Sequence, residues 1–296
     1  QKDRREPNWL SSQDINNLFT LEDFEQVKES KRFLFPIPLG PVSEFINRYI
    51  AHLPIINSLC LTIYQIYRPR QQAQDYTVSV IIPARNEQGN IKGMLAKIPN
   101  LGRGIEVIFV EGHSKDNSYQ AILSEISLAR GKIKAQVFKQ KGQGKGDAVR
   151  LGFDKAKNDI LMILDADLTV NPKDLVKFYK ALSQGHGEFA NGSRLIYPLE
   201  EQAMRTANYL GNKFFSAAFT FLLQQRIKDT LCGTKVLFRD DYLKIAKSRK
   251  YFGEFDPFGD FDLLFGATKL NLKIIEIPVR YRQRKYGTTN ISRFKH

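Results

Sequence analysis

Residues 160–167 read Ile-Leu-Met-Ile-Leu-Asp-Ala-Asp, five apolar residues followed by two carboxylates that are two positions apart. An apolar run of this length is typical of a fully buried β-strand. Three further runs have the same character and alternate with helical patterns, at residues 78–82, 106–110 and 135–138. Buried strands that alternate with helices predict an α/β fold with a largely parallel central sheet.

Polar or glycine-rich segments follow each of these strands. They are residues 83–87, 111–114, 142–146 and 165–167. Ligands bind at the carboxyl ends of the strands in open α/β sheets, so we expect the four segments to converge on one crevice. This crevice is the predicted ligand site.

Asp165 and Asp167 are the first candidates for metal ligands. Carboxylates at a strand end are hard oxygen ligands, of the kind that hold a divalent ion beside phosphates. Side chains at alternate positions of an extended chain point to the same side, so we expect both carboxylates to face one ligand. Asp-x-Asp is also common in ordinary turns after strands, and the pair alone does not distinguish the two interpretations.

The glycine-rich run at residues 142–146 precedes a predicted helix over residues 147–156. Backbone amides in such a turn are suited to binding anions. The spacing matches neither the dinucleotide-binding pattern nor the P-loop pattern, which excludes both assignments. A solvated loop with Lys145 pointing outward is equally compatible with these residues.

The composition indicates a globular protein with an affinity for anions. The 296 residues include 45 Lys and Arg against 31 Asp and Glu, a net charge of +14, which favours phosphate-rich partners. Cys60 and Cys232 lack the spacing of a zinc site or a disulfide framework, so we expect a reducing, cytoplasmic setting. The longest apolar stretch, residues 214–223, is about half of the roughly 20 residues that a membrane-spanning helix needs.

The first 75 residues have a different pattern, typical of a small α+β segment. We predict a helix over residues 11–28, which begins with a capping box, a short strand over 33–35, a helix over 42–56 and a strand over 61–67. A polar linker follows, so the predicted domains are residues 1–75 and 76–296. Neither end of the sequence carries a clear cap or stop signal, and we expect the chain to be part of a longer polypeptide.

Seven motifs follow one another along residues 77–296. They are Pro83-Ala-Arg-Asn-Glu87, Glu111-Gly-His-Ser114, Lys141-Gly-Gln-Gly-Lys-Gly146, Asp165-Ala-Asp167, Gly192-Ser-Arg194, Asp229-Thr-Leu-Cys-Gly-Thr-Lys235 and Arg284-Lys-Tyr-Gly287. Their order resembles that of family 2 glycosyltransferases and is most similar to the polyprenyl-phosphate type, such as the dolichyl-phosphate mannosyltransferases. The resemblance implies a GT-A fold, a nucleotide-sugar donor, Mg²⁺ or Mn²⁺, and inversion at the anomeric carbon.

The resemblance also implies roles for individual residues. It assigns Pro83, Arg85 and Glu87 to the edge of the nucleotide, Glu111 and Lys145 to the base or ribose, and Asp165 and Asp167 to the metal and diphosphate. Ser193 would contact the substrate, while Arg194 and Arg284 would meet donor or acceptor phosphates. Asp167, Arg194 and Arg284 are thus the candidate catalytic residues. The family usually has Asp-Asp-Gly-Ser where this chain has Glu-Gly-His-Ser, which leaves the nucleotide open, and some relatives have Gln where this chain has Thr169.

The chemistry of the acceptor distinguishes two mechanisms. A phosphate acceptor is already an anion, whereas a sugar hydroxyl needs a positioned general base. We expect a polyprenyl-phosphate acceptor. A glycan hydroxyl remains the alternative acceptor, because any of four acids could serve as its general base: Glu254, Asp256, Asp260 and Asp262. The residue 214–223 stretch is predicted to be a core helix or to lie in a membrane interface.

Six basic residues and no acid lie within residues 280–296, a composition that suits an anionic membrane as well as a solvated face. We therefore expect a peripheral protein on the cytoplasmic face of a membrane. Two rival interpretations are a nucleotidyltransferase and a nucleic-acid-binding module, but only the net charge favours the latter, and we expect no nucleic-acid partner. The first 70 residues resemble, more weakly, the closing part of a class I methyltransferase without its cofactor loop.

Overall fold

The computed structural model describes residues 10–53, 55–197, 206–248, 261–284 and 286–287, with only the backbone of residues 206–210. The chain divides into two compact units, Gln1–Gln71 and Gln72–His296. In the first unit, a two-stranded antiparallel sheet pairs β1 with β2. Its elements are α1 (Ser12–Leu21), β1 (Phe24–Arg32), α2 (Pro41–Arg48) and β2 (Thr62–Pro69), with short 3₁₀ turns at Ile50–His52 and Ile56–Leu59.

Three of the local predictions for this unit are wrong. The capping box of Ser11 and Asp14 is present, but the helix predicted over residues 11–28 ends at Leu21, because Asp23 adopts a left-handed backbone conformation and turns the chain into β1. Phe33, also left-handed, lies beyond the end of β1 and not in a strand of its own. The helix predicted over residues 42–56 ends at Arg48. The predicted strand over residues 61–67 is confirmed as β2.

The second unit is built on a seven-stranded sheet of order β5-β4-β3-β6-β8-β7-β9. The strands are β3 (Thr77–Ala84), β4 (Gly104–Glu111), β5 (Lys134–Lys139), β6 (Ile160–Ile163), β7 (Phe189–Ser193), β8 (Lys235–Phe238) and β9 (Ile274–Pro278). Among these described strands, only β8 is antiparallel to its neighbours, β6 and β7. The four predicted strands and the largely parallel α/β sheet are therefore confirmed.

Helices cover both faces of this sheet. They are α3 (Gln88–Ile91), α4 (Ser118–Leu128), α5 (Gly144–Lys155), α6 (Leu175–Ser183), α7 (Thr206–Leu223), α8 (Arg239–Lys247) and α9 (Phe261–Lys269). Successive residues of β3 alternate between the two cores, since Val80 and Ile82 belong to one cluster and Ile81 to the other. The helix predicted over residues 147–156 begins earlier, at Gly144.

The apolar segment of α7 has two different faces. Phe219 and Leu223 are buried in the core, whereas Phe214 is 70% exposed and Leu222 is 63% exposed. The prediction that this segment is a core helix is therefore wrong for its exposed side. In the part of the chain that the structure describes, no helix has the length and apolar character needed to cross a membrane.

Candidate active site

The polar segments that follow the parallel strands meet at one edge of the sheet, as predicted. The amide of Asn86 donates to Oγ of Ser114 over 3.0 Å, which joins the segments after β3 and β4. His113 Nε2 lies 2.9 Å from the carbonyl oxygen of Gly142, at the glycine-rich run. That run continues into α5, where Lys145 reaches the segment after β6. These contacts delimit the candidate site.

Asp165 and Asp167 occupy a turn and not an extended chain. The amide of Leu168, whose backbone is left-handed, donates to the carbonyl oxygen of Asp165. The expectation that both carboxylates point to one side of an extended strand is therefore wrong. Each carboxylate faces its own cation instead: Asp165 Oδ1 lies 2.6 Å from Lys145 Nζ, and Asp167 Oδ2 lies 2.8 Å from Arg284 Nη2.

Arg284 bridges two carboxylates. Besides its bond to Asp167, its Nη1 donates to Glu87 Oε1 over 2.8 Å. Glu87 is buried, and its other oxygen accepts from Asn90 Nδ2. Burial raises the pKa of Glu87 above its ordinary value, and the bonds from Asn90 and Arg284 only partly offset that effect. The resemblance assigned Glu87 to the nucleotide edge, but in this structure its carboxylate holds an arginine.

Arg194 is committed to a buried ion pair. Its Nε and Nη2 donate to the two carboxylate oxygens of Asp229 over 2.7 and 2.8 Å, and its amide donates as well. The Arg194 side chain is 11% exposed and that of Asp229 is fully buried. Burial alone would raise the pKa of Asp229, but the bonds and charge of Arg194 hold it below its usual range. In this structure Arg194 therefore binds Asp229 inside the protein, and not the phosphates that the resemblance implied.

The remaining predicted residues divide into exposed and buried sets. Arg85 is exposed and Pro83 is half-buried at the end of β3, at the edge of the site. Ser193 is fully buried in β7, so direct contact with a substrate, as the resemblance implied, does not fit its position. Glu111 is also buried, and its Oε1 accepts from the amide of Ser114, so it stabilises its own turn instead of facing a base.

The contacts of two residues were not predicted from the sequence. Thr169 donates its amide and its hydroxyl to Asp167 Oδ1, which fixes that carboxylate. Gly233 packs so closely against the ion pair of Lys145 and Asp165 that an added Cβ would overlap both side chains. Gly233 stands in one of the quoted motifs, but its contact is visible only in three dimensions. Of the four acids considered as general bases, Asp262 is buried in α9 and the other three lie outside the described residues.

The Asp-x-Asp turn offers two carboxylates to a divalent ion. Among the described residues, no group of three or more His, Cys, Asp and Glu side chains could hold a metal ion. Mg²⁺ often uses only one or two carboxylates and completes its shell with water and substrate phosphates. Asp165 and Asp167 supply the two carboxylates of that mode, and each of them pairs with a cationic nitrogen in this structure.

Known proteins resemble this chain in sequence. An undecaprenyl-phosphate 4-deoxy-4-formamido-L-arabinose transferase of Edwardsiella ictaluri is 25% identical over 222 residues, 74% of this chain and 64% of the relative. A dolichyl-phosphate beta-glucosyltransferase of Saccharomyces cerevisiae is 28% identical over 235 residues, 72% of this chain and 69% of the relative. The chain thus spans about two thirds of the length of such relatives.

The fold also has solved counterparts. Glucosyl-3-phosphoglycerate synthase of Mycobacterium tuberculosis, crystallised with Mn²⁺, uridine diphosphate and glucosyl-3-phosphoglycerate, superposes with a TM-score of 0.54 at 17% identity over 72% of this chain and 73% of that one. This similarity confirms the predicted GT-A fold. The model of glycosyl transferase family 2 matches residues 79–245, more than half of the chain and all four predicted strands. The chain therefore belongs to glycosyl transferase family 2.

Proposed function

We propose that this glycosyltransferase moves a sugar from a nucleotide-sugar donor to a polyprenyl phosphate, with inversion at the anomeric carbon and with Mg²⁺ or Mn²⁺. The observation that carries the proposal is the Asp-x-Asp turn at the carboxyl ends of the strands, with Lys145 and Arg284 against its two carboxylates. Two carboxylates and two cations at one sheet edge suit a ligand that brings both a metal ion and phosphates.

Asp165 and Asp167 would hold the ion, which supplies a Lewis acid that stabilises the departing nucleoside diphosphate. Two cationic side chains of the protein would neutralise the remaining negative charge of the phosphates. Lys145, at the first turn of α5, is a point charge suited to a diphosphate oxygen, and this position favours the diphosphate over the base. Arg284 presents a planar guanidinium, which can bind a phosphate in two-pronged fashion.

The relatives support the choice of acceptor. Two of them are named for undecaprenyl phosphate and dolichyl phosphate, and a phosphate acceptor needs no general base. The exposed side of α7, formed by Phe214, Phe215, Phe221 and Leu222, is an apolar surface suited to the acyl chains of a membrane interface. We therefore also propose peripheral contact with an anionic membrane on its cytoplasmic face.

A donor and acceptor panel tests this function. Purified protein is incubated with UDP- and GDP-sugars, with Mn²⁺, Mg²⁺ or EDTA, and with undecaprenyl or dolichyl phosphate in detergent, and the lipid product is identified by mass spectrometry. We expect metal-dependent sugar transfer and an inverted anomer by NMR. Release of pyrophosphate instead of a nucleoside diphosphate would identify a nucleotidyltransferase.

A binding assay separates this enzyme from a nucleic-acid-binding protein. A ligand that binds only the folded state raises the unfolding temperature. We expect UDP or GDP with Mn²⁺ to raise it, and single- or double-stranded oligonucleotides to leave it unchanged. Stabilisation by oligonucleotides alone would favour the binding module.

The domain assignment is likewise a proposal. We propose that residues 76–296 belong to the glycosyltransferase domain and that residues 1–75 are the closing part of a methyltransferase-like domain without activity of its own. The antiparallel pairing of β1 with β2 is compatible with such a remnant.

A further inference from the structure

The segment that carries Arg284 lies across the site. We call its described residues, 281–284 and 286–287, the strap. Its start is tied to the turn after β6, because the amide of Arg282 donates to the carbonyl oxygen of Thr169 over 2.9 Å. Its end lies against the segment after β3, where the ring of Tyr286 covers Gly89 so closely that a side chain at position 89 would overlap it.

Arg284 is the charged centre of the strap. Its side chain is 25% exposed, and the guanidinium contacts Asp167 on one side and Glu87 on the other, both at 2.8 Å. An arginine side chain stays charged in proteins, and Arg284 occupies an oxygen of Asp167 that a metal ion would use.

A divalent ion and this guanidinium cannot share Asp167 Oδ2 without strong repulsion, because like charges a few ångströms apart in a partly buried site repel each other. Thr169 already occupies the other oxygen of the carboxylate with two hydrogen bonds. Arg284 and a divalent ion are therefore alternative partners of Asp167 Oδ2.

We propose that Arg284 is the resident counter-ion of Asp167, that a divalent ion displaces it, and that Glu87 keeps the displaced guanidinium at the site, where it binds the acceptor phosphate. The inference rests on the proposed metal-dependent function and adds the order in which the metal ion and the acceptor bind. Metal binding comes first and releases the arginine. By linkage, an acceptor phosphate that holds Arg284 away from Asp167 also strengthens metal binding.

The first test measures Mn²⁺ affinity by electron paramagnetic resonance, without nucleotide. Arg284→Gln removes the competitor, and we expect it to bind Mn²⁺ about tenfold more tightly than the wild type, within the usual range of coupling between sites. Arg282→Gln is the matched control. It removes one positive charge from the same strap, and its side chain is exposed, so it reports the general electrostatic gain.

The second measurement uses the wild type and does not depend on a folded variant. Hydrogen exchange of peptides that cover the strap is followed with and without Mn²⁺. The hydrogen bond from the amide of Arg282 to the carbonyl oxygen of Thr169 is supported by the contact of Arg284 with Asp167. We therefore expect Mn²⁺, which breaks that contact, to speed hydrogen exchange at the amide of Arg282. In Arg284→Gln, exchange should already be fast and should not respond to Mn²⁺.

The possible outcomes separate this inference from the function on which it rests. If Mn²⁺ binds but Arg284→Gln binds it no more tightly than Arg282→Gln, and exchange in the strap does not change, the metal site stands and the competition is refuted. If neither the wild type nor Arg284→Gln binds Mn²⁺, with or without UDP, the metal site itself is refuted, and the inference with it.

Discussion

Arg194 and Arg284 look equivalent in the sequence, and the structure predicts that their replacement by lysine has opposite consequences. Lysine keeps the charge but cannot form two parallel hydrogen bonds to a carboxylate. At Arg194 the lost bond is internal and buried against Asp229. At Arg284 the affected contacts lie at the candidate site and are partly exposed. Arg194→Lys should therefore impair stability, and Arg284→Lys should impair acceptor binding.

The size of the stability effect follows from the bonds. One hydrogen bond to a charged group contributes about 1.5–3 kcal/mol, and the retained charge avoids the roughly 3–5 kcal/mol cost of an unpaired buried ion. We expect Arg194→Lys to lose about 2 kcal/mol. With a urea m-value of about 2.5 kcal/mol/M, the unfolding midpoint falls by about 0.8 M. Arg284→Lys should shift the midpoint by less than about 0.3 M on the same scale.

Activity should show the reverse pattern. Loss of a two-pronged phosphate contact of about 1.4 kcal/mol raises the acceptor KM of Arg284→Lys about tenfold. Its donor KM should change less. The assay titrates donor and polyprenyl phosphate separately, in detergent at fixed salt, because bulk attraction between charges is screened.

Arg103→Lys is the matched control, since Arg103 is 58% exposed and its nearest acid, Asp159, is 3.7 Å away. It should alter neither the midpoint nor the KM values. The reasoning fails if Arg194→Lys unfolds at the wild-type midpoint, or if Arg284→Lys transfers sugar with an unchanged acceptor KM.

Four further predictions concern single features of the chain. Asp167→Asn should lower turnover at least about 100-fold, the upper range for residues around a metal site, with an unchanged circular dichroism spectrum, whereas Asp174→Asn should retain activity. Gly233→Ala should weaken Mn²⁺ binding about tenfold by displacing the adjacent ion pair, and an unchanged affinity would contradict that contact. The pKa of Asp229 is lower in the folded than in the unfolded state, so its ion pair stabilises the fold above about pH 4, and this stabilisation is lost as the pH falls through the folded-state pKa. The urea midpoint of Asp229→Asn should therefore depend less on acid pH than that of the wild type. Calorimetry with S-adenosylmethionine should detect no binding to the chain, and micromolar binding would show that residues 1–75 are more than a remnant.

Local sequence patterns were sufficient to predict four of the seven described strands in the second unit. The apolar runs at residues 78–82, 106–110, 135–138 and 160–164 correspond to β3, β4, β5 and β6. β3, β4 and β6 are buried along most of their length, which requires mainly apolar side chains, whereas β5 lies at the edge of the sheet and has no fully buried residue. The three remaining strands are as short as β6, with four or five residues each, but polar residues interrupt or flank their apolar positions, so their pattern does not distinguish a strand from a helix.

In the first unit, local signals competed with long-range pairing. The helical pattern over residues 11–28 was correct at its capped start and wrong at its end, where residues 24–28 pair with β2 more than 35 positions away. Strand pairing of this kind overrides weak helical preference, because the gain arises from a partner that the local window does not contain.

The sequence alone was sufficient to identify the family resemblance, the polar segments of the site and the two acids that follow β6, since these depend on residue type and order. The fold determined the partners of the charged residues. Arg284 meets Asp167 across 117 positions of the chain, and Arg194 meets Asp229 across 35. One arginine is thus placed at the candidate site and the other in the core. The physical reason is that a charge binds whichever opposite charge the folded domain brings within a few ångströms, and that distance depends on the packing of the whole domain.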